Sequence, residues 1–103
     1  MNDELLSPEV HVAVLRPEGD LVAPRLSDVR EKLRDMVGSG ILHLTMDLSS
    51  TQIVDSAGIG LLIAAHNSLK KVGGQLTVIH VSTEILELFR TMRMHQHFSV
   101  SGN

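Results

Sequence analysis

Apolar and polar positions sort this chain into two kinds of stretch, one alternating in twos and one recurring at three and four. Val10, Val12 and Val14 alternate with His11 and Ala13 up to Leu15 and read as a half-buried strand with the valines on one face. Pro17-Glu18-Gly19-Asp20 is turn chemistry, and Leu21-Val22-Ala23 reads as a short second strand returning as an antiparallel hairpin. From Pro24 onward, Leu26, Val29, Leu33, Met36 and Val37 keep helical spacing until Gly38 and Gly40 stop it. Ile41 to Leu48 alternates strictly, with Leu42, Leu44, Met46 and Leu48 set against His43, Thr45 and Asp47. After the polar loop Ser49–Gln52, Ile53-Val54 re-enters the apolar layer.

A helix is expected from Ala57 to Val72, with apolar residues at 59, 61 to 65, 69 and 72, ended by Gly73-Gly74. A stripe that wide belongs to a largely covered helix. Gln75 to Val81 is a further strand. Ser82 caps a third helix with Ile85, Leu88, Phe89 and Met92 inward and Glu87, Arg90 and Arg93 outward, and Phe98 to Val100 is a short last strand. The order β-β-α-β-α-β-α-β predicts an α/β fold, a small mixed sheet whose strands are joined by crossover helices. Residues 1-103 make one domain, of which Met1 to Glu9 is a loose polar tail.

Composition narrows the function classes. Hydrophobic residues make up 43% of 103, enough for one modest core, but only 2% are aromatic, so stacking on nucleobases is not expected. A formal charge of -3 gives no basic footprint for nucleic acid or an anionic membrane surface. With no cysteine there is no disulfide, thiol catalysis or cysteine-based zinc site. No stretch is long and apolar enough to span a membrane, and Asp3 and Glu4 precede any apolar run, so no signal peptide is expected. A cytoplasmic protein is expected, monomeric or weakly dimeric, without metal or cofactor.

One stretch breaks local rules: Ile53-Val54-Asp55-Ser56-Ala57-Gly58-Ile59-Gly60. Two glycines in the first turn of a helix cost roughly 1 kcal/mol each relative to alanine, and something must offset that. The gain expected on the residues alone is close approach of another backbone or of a partner near the Ser56 hydroxyl, with Ser56 itself as the N-cap. Ile59 and Leu62, within the stripe, are candidates for partial exposure to a partner. No catalytic motif accounts for the stretch. Position 54 is Val and position 55 is Asp, which excludes the Gly-x-Ser-x-Gly nucleophile elbow, and Ile63 stands where a dinucleotide fingerprint needs its third glycine. His95-Gln96-His97 is the closest histidine pair, but without a nearby carboxylate or cysteine it is a poor metal site.

Asp55-Ser56-x-Gly58-x-Gly60, with Gly73-Gly74 downstream and Met46-Asp47-Leu48-Ser49 upstream, resembles the STAS domain, and in particular the free-standing anti-sigma factor antagonists of bacteria. The resemblance runs from Val10 to Val100. It implies that Ser56, directly after the aspartate, is the phosphoacceptor, and that Ala57 leaves no second serine beside it. It implies too that Asp55, Ala57, Gly58, Ile59 and Gly60 form a motif meeting the partner. The expected function is a non-enzymatic partner switch. Unphosphorylated, the chain would hold an anti-sigma factor serine kinase; phosphorylation of Ser56 would release it, and a serine phosphatase would reset it. The alternative is a constitutive STAS subunit of a membrane lipid transport complex, with Ser56 only a cap.

Overall fold

The structure, a computed structural model, describes residues 11–102. Val10 and the tail Met1 to Glu9 lie outside the described residues. Four strands, β1 (Val12–Leu15), β2 (His43–Asp47), β3 (Gln75–Val81) and β4 (Ser99–Gly102), form one sheet in that order. Three helices connect them, α1 (Leu26–Gly38), α2 (Ser56–Lys71) and α3 (Thr83–Thr91), with 3-10 turns at Ala23–Arg25 and Met94–Gln96. This is the α/β crossover fold that the alternation predicts.

Every neighbouring strand pair is parallel. The expected hairpin is therefore absent from the described residues, and with it the antiparallel pair that would make the sheet mixed. Leu21 instead forms an isolated parallel bridge with Val54, and Ala23 turns into a 3-10 turn carrying Pro24. The reason is length: the span after Leu21 is too short for a strand, while its backbone finds ready partners in the loop before α2. Leu21 donates to the Ile53 carbonyl at 3.0 Å, and its own carbonyl accepts from the Asp55 amide at 3.2 Å.

Right-handed crossovers that always step in one direction put all three helices on one face. Burial follows: Leu15, Leu44, Met46, Leu76 and Val78 are buried under the helices, joined by Leu33, Leu62, Leu69, Ile85 and Phe89. The valine face of β1 is the other one, so Val12 and Val14 are exposed and Leu15, not the valines, enters the core. Met92, expected inward, is also exposed, because α3 ends at Thr91 and Met92 is already its C-cap. Ser82 caps α3 as expected, accepting from the Ile85 amide at 3.2 Å.

Toward the carboxyl ends of β3 and β4 the ladder is irregular. A register shift lies between Val78 and Val81, and His80 within it has φ +57, a left-handed conformation costly for a side-chain-bearing residue. His80 Nδ1 lies 3.0 Å from Asp47 Oδ1, and the same carboxylate oxygen accepts from the Ser49 amide at 2.9 Å. That amide, then the Ser49 hydroxyl and His80, hold the Asp47 carboxyl below its ordinary pKa. The bulge thus ties β3 to the loop that leads into α2.

Candidate functional site

The loop Ser49–Asp55 is stitched to the loop after β1 by side chains. Asp20 Oδ1 accepts from the amides of Gln52 and Ile53 at 3.0 and 3.1 Å. Thr51, the one buried polar residue among the described residues, donates its hydroxyl to the Gly19 carbonyl at 2.9 Å. These bonds set where α2 begins.

Asp55, not Ser56, caps that helix. Its Oδ1 accepts from the Gly58 amide at 2.9 Å, and its Oδ2 accepts from the Ala23 amide at 3.0 Å. The serine assignment fails because a carboxylate can serve two amides from two elements at once, where a hydroxyl would serve one. The Ala23 amide first, then that of Gly58, holds the Asp55 carboxyl below its ordinary pKa. With both oxygens bonded to backbone amides, Asp55 fixes the loop geometry.

Ser56 is then the first residue of α2. It is exposed, and its hydroxyl takes part in none of the side-chain hydrogen bonds among the described residues. Ala57 is half-buried against the core. The two glycines divide their roles. A Cβ at Gly58 would collide with the Leu21 carbonyl oxygen and meet Leu21 Cβ and Val54 Cγ1 at 3.0 Å, so Gly58 lets the Leu21 backbone lie against the helix start. A Cβ at Gly60 would meet nothing within 4 Å, and the residue is exposed. No internal packing explains that second glycine.

Ile59 and Leu62 are buried, at 5% and 0% exposure, so neither shows a side chain to the outside. The apolar side chain beside Ser56 that does is Ile53, at 56% exposure. Its signal in the sequence is faint: it sits on the short Ile53-Val54 pair, of which only Val54 joins the sheet bridge and the core. Of the other hydroxyls ahead of the motif, Thr51 is buried while Ser49 and Ser50 are exposed. Among the described residues no group of three His, Cys, Asp or Glu side chains could hold a metal ion, His95 and His97 included. Among them, too, no helix is long and apolar enough to cross a membrane.

Comparison with known proteins identifies the family and the fold. The STAS domain family model matches residues 7–103, and the chain belongs to that family. Its fold is shared with tm1081 of Thermotoga maritima, described as a candidate anti-sigma factor antagonist, at a TM-score of 0.84 and 15% identity over 90% of this chain and 80% of that one. The anti-sigma factor antagonist SpoIIAA in its unphosphorylated form superposes at a TM-score of 0.70 with 18% identity, covering 90% of this chain and 80% of its own. The Bacillus cell fate determinant SpoIIAA in its phosphorylated form gives the same score and identity over 87% and 82%.

Proposed function

We infer that this chain is a non-enzymatic phosphoswitch, an anti-sigma factor antagonist that binds an anti-sigma factor serine kinase through the start of α2 and is released when Ser56 is phosphorylated. The observation that carries the reading is the division of labour at the helix start. Asp55 does the capping, which leaves the Ser56 hydroxyl exposed and free of side-chain bonds beside an open Gly60. The likeness to SpoIIAA, known in unphosphorylated and phosphorylated forms, supports it.

In the proposed reaction the Ser56 oxygen attacks the γ-phosphorus of ATP held by the kinase, ADP leaves, and the hydroxyl proton passes to a base of the kinase. A serine phosphatase returns the hydroxyl by hydrolysis. The added -1.5 to -2 charges cost little in water at a helix N-terminus, where unpaired amides and the helix dipole favour an anion by roughly 0.3 to 1 kcal/mol. Pressed against a partner and stripped of water, the same charge is penalised by several kcal/mol, a loss of affinity of about a hundredfold or more.

The test is phosphorylation by the kinase followed by mass spectrometry and binding titration. One phosphate on Ser56 and a matching loss of kinase affinity are expected. A phosphate on Ser49 or Ser50, or equal affinity of the two forms, would sink the proposal, the second result pointing to a constitutive subunit of a transport complex.

A further inference from the structure

The far end of α2 carries a second group of side chains that the switch does not use. Ser56 and Lys70 are fourteen residues apart on one helix, about 21 Å along its axis. Around Lys70 lies a cavity of about 350 Å³, walled by α2, the start of β3, the turn Met94–Gln96 and the start of β4. Its titratable lining is His66 and Lys70 from α2 and His95 and His97 from the turn; β3 contributes Gln75 and β4 contributes Ser99, neither of which titrates. Among the described residues no carboxylate lines it.

Three rings lie close together in the wall of this cavity. His66 and His97 have centroids 6.0 Å apart at 59°, and the Phe98 ring lies 5.9 Å from His66 on a further side. Two imidazoles at that separation can reach the oxygens of one anion at charge-assisted hydrogen-bond lengths of about 2.7–2.9 Å. A metal cation fits poorly, since it would sit beside the Lys70 ammonium with no carboxylate to balance it. Burial, and after it the positive charges of Lys70 and His97, hold the His66 pKa below its ordinary value. The fixed positive charge here is that of Lys70, and the lining supplies no carboxylate to balance it.

We propose that the cavity formed by His66, Lys70, His95 and His97 is an oxyanion site that takes a phosphate group, filled more strongly as the histidines gain protons. His66, its pKa held below the ordinary imidazole value by burial, gains its proton only as the pH falls to the acid side of that value, and the proton then adds to the fixed charge of Lys70. Binding and protonation are reciprocal: whatever factor separates the anion affinities of the two protonation states must appear in the histidine pKa values when the site is filled.

Inorganic phosphate is the probe, titrated into the isotope-labelled full chain and followed by NMR of backbone and imidazole resonances, with chloride at equal ionic strength as control. Saturable shifts at His66, Lys70 and His97 are expected, at least about fivefold tighter near pH 6 than near pH 8, with the His66 pKa rising on saturation. Lys70→Gln and His97→Gln should each weaken binding about tenfold while the rest of the spectrum stays that of the folded chain. Pelleting with phosphatidylcholine vesicles carrying phosphatidic acid separates the two sources. Lys70-dependent pelleting identifies a lipid phosphomonoester, whereas binding of free phosphate alone identifies a soluble ligand. Absence of saturable binding to either, equal shifts with chloride, or affinity untouched in both variants overturns the proposal.

Discussion

The two glycines of the Asp55-Ser56-x-Gly-x-Gly motif should respond in opposite directions to the same substitution. At Gly58 an added methyl meets the Leu21 carbonyl, a backbone atom that cannot swing away. Moving it disturbs two backbone hydrogen bonds, Leu21 to Ile53 and Asp55 to Leu21, each worth roughly 1 kcal/mol. Overpacking costs about 1–3 kcal/mol, and a clash with backbone belongs at the upper end, about 3 kcal/mol with the disturbed bonds included; alanine returns about 1 kcal/mol of helix propensity, so Gly58→Ala should lose about 2 kcal/mol net. For a domain of this size that lowers Tm by about 8–16 °C. At Gly60 the methyl enters open space, so only the propensity gain remains, about 0.5–1 kcal/mol, and Tm should rise by about 2–8 °C. Differential scanning calorimetry of the two variants beside the wild type measures both signs. A Gly58→Ala variant as stable as the wild type, or a Gly60→Ala variant that melts early, would refute the reasoning. Under the proposed function the stabilised Gly60→Ala variant should bind the kinase more weakly, because the space it fills is the space a partner would occupy.

Asp55→Asn should lower Tm, and because the native Asp55 pKa is depressed, its stabilisation is present above the ordinary carboxylate pKa and disappears as pH falls through the lower native value. Between about pH 5 and 3 the Tm of the variant should therefore fall less steeply than that of the wild type. Ser56→Asp should melt within about 2 °C of the wild type, since the hydroxyl holds nothing in place, yet bind the kinase at least tenfold more weakly by isothermal calorimetry, while Ser56→Ala stays bound in the presence of ATP. Ile53→Glu, at an exposed position, should likewise spare Tm and weaken the complex. Arg93 has φ +57 with no side-chain bond at the turn it opens, so Arg93→Gly should raise Tm by a few degrees in thermal melts; His80→Gly should not, because relief of the same strain gives up the Asp47 contact.

The elements with long, regular patterns were legible from the residues. Gln75–Val81 is a strand over the expected bounds, and α2 differs from expectation by a residue at each end. What misleads is context that a pattern does not carry. Val12 and Val14 look like a core face because they are β-branched and alternate, yet which face the helices cover is set by the handedness of the crossovers, and Ala13 and Leu15 lie on the covered side. The hairpin is suggested by real turn residues at Pro17–Asp20, but a turn does not say which strand its far end will meet. Ser56 as cap fails on competition: serine and aspartate are both good caps, and the deciding factor is the Ala23 amide, thirty-two residues away, which only a carboxylate can bind together with that of Gly58.

That competition bears on how a switch at this position can work. Were Ser56 the cap, phosphorylating it would replace the small hydroxyl acceptor that holds the first turn by a bulky phosphate, and the first turn of α2 would have to rearrange around it. With Asp55 as cap, both of its bonds survive the modification, and the Leu21 backbone stays locked against Gly58. The new phosphate does face the Asp55 carboxylate, but in water at about 6 Å that repulsion is on the order of 1 kcal/mol, similar in size to the gain from the helix N-terminus. The fold is then indifferent to the modification, and its free energy is felt almost wholly by whatever covers the exposed hydroxyl. A domain of one small core could not spend several kcal/mol of its own stability on each signal without unfolding part of the time. Placing the cap on the residue before the proposed acceptor removes that conflict.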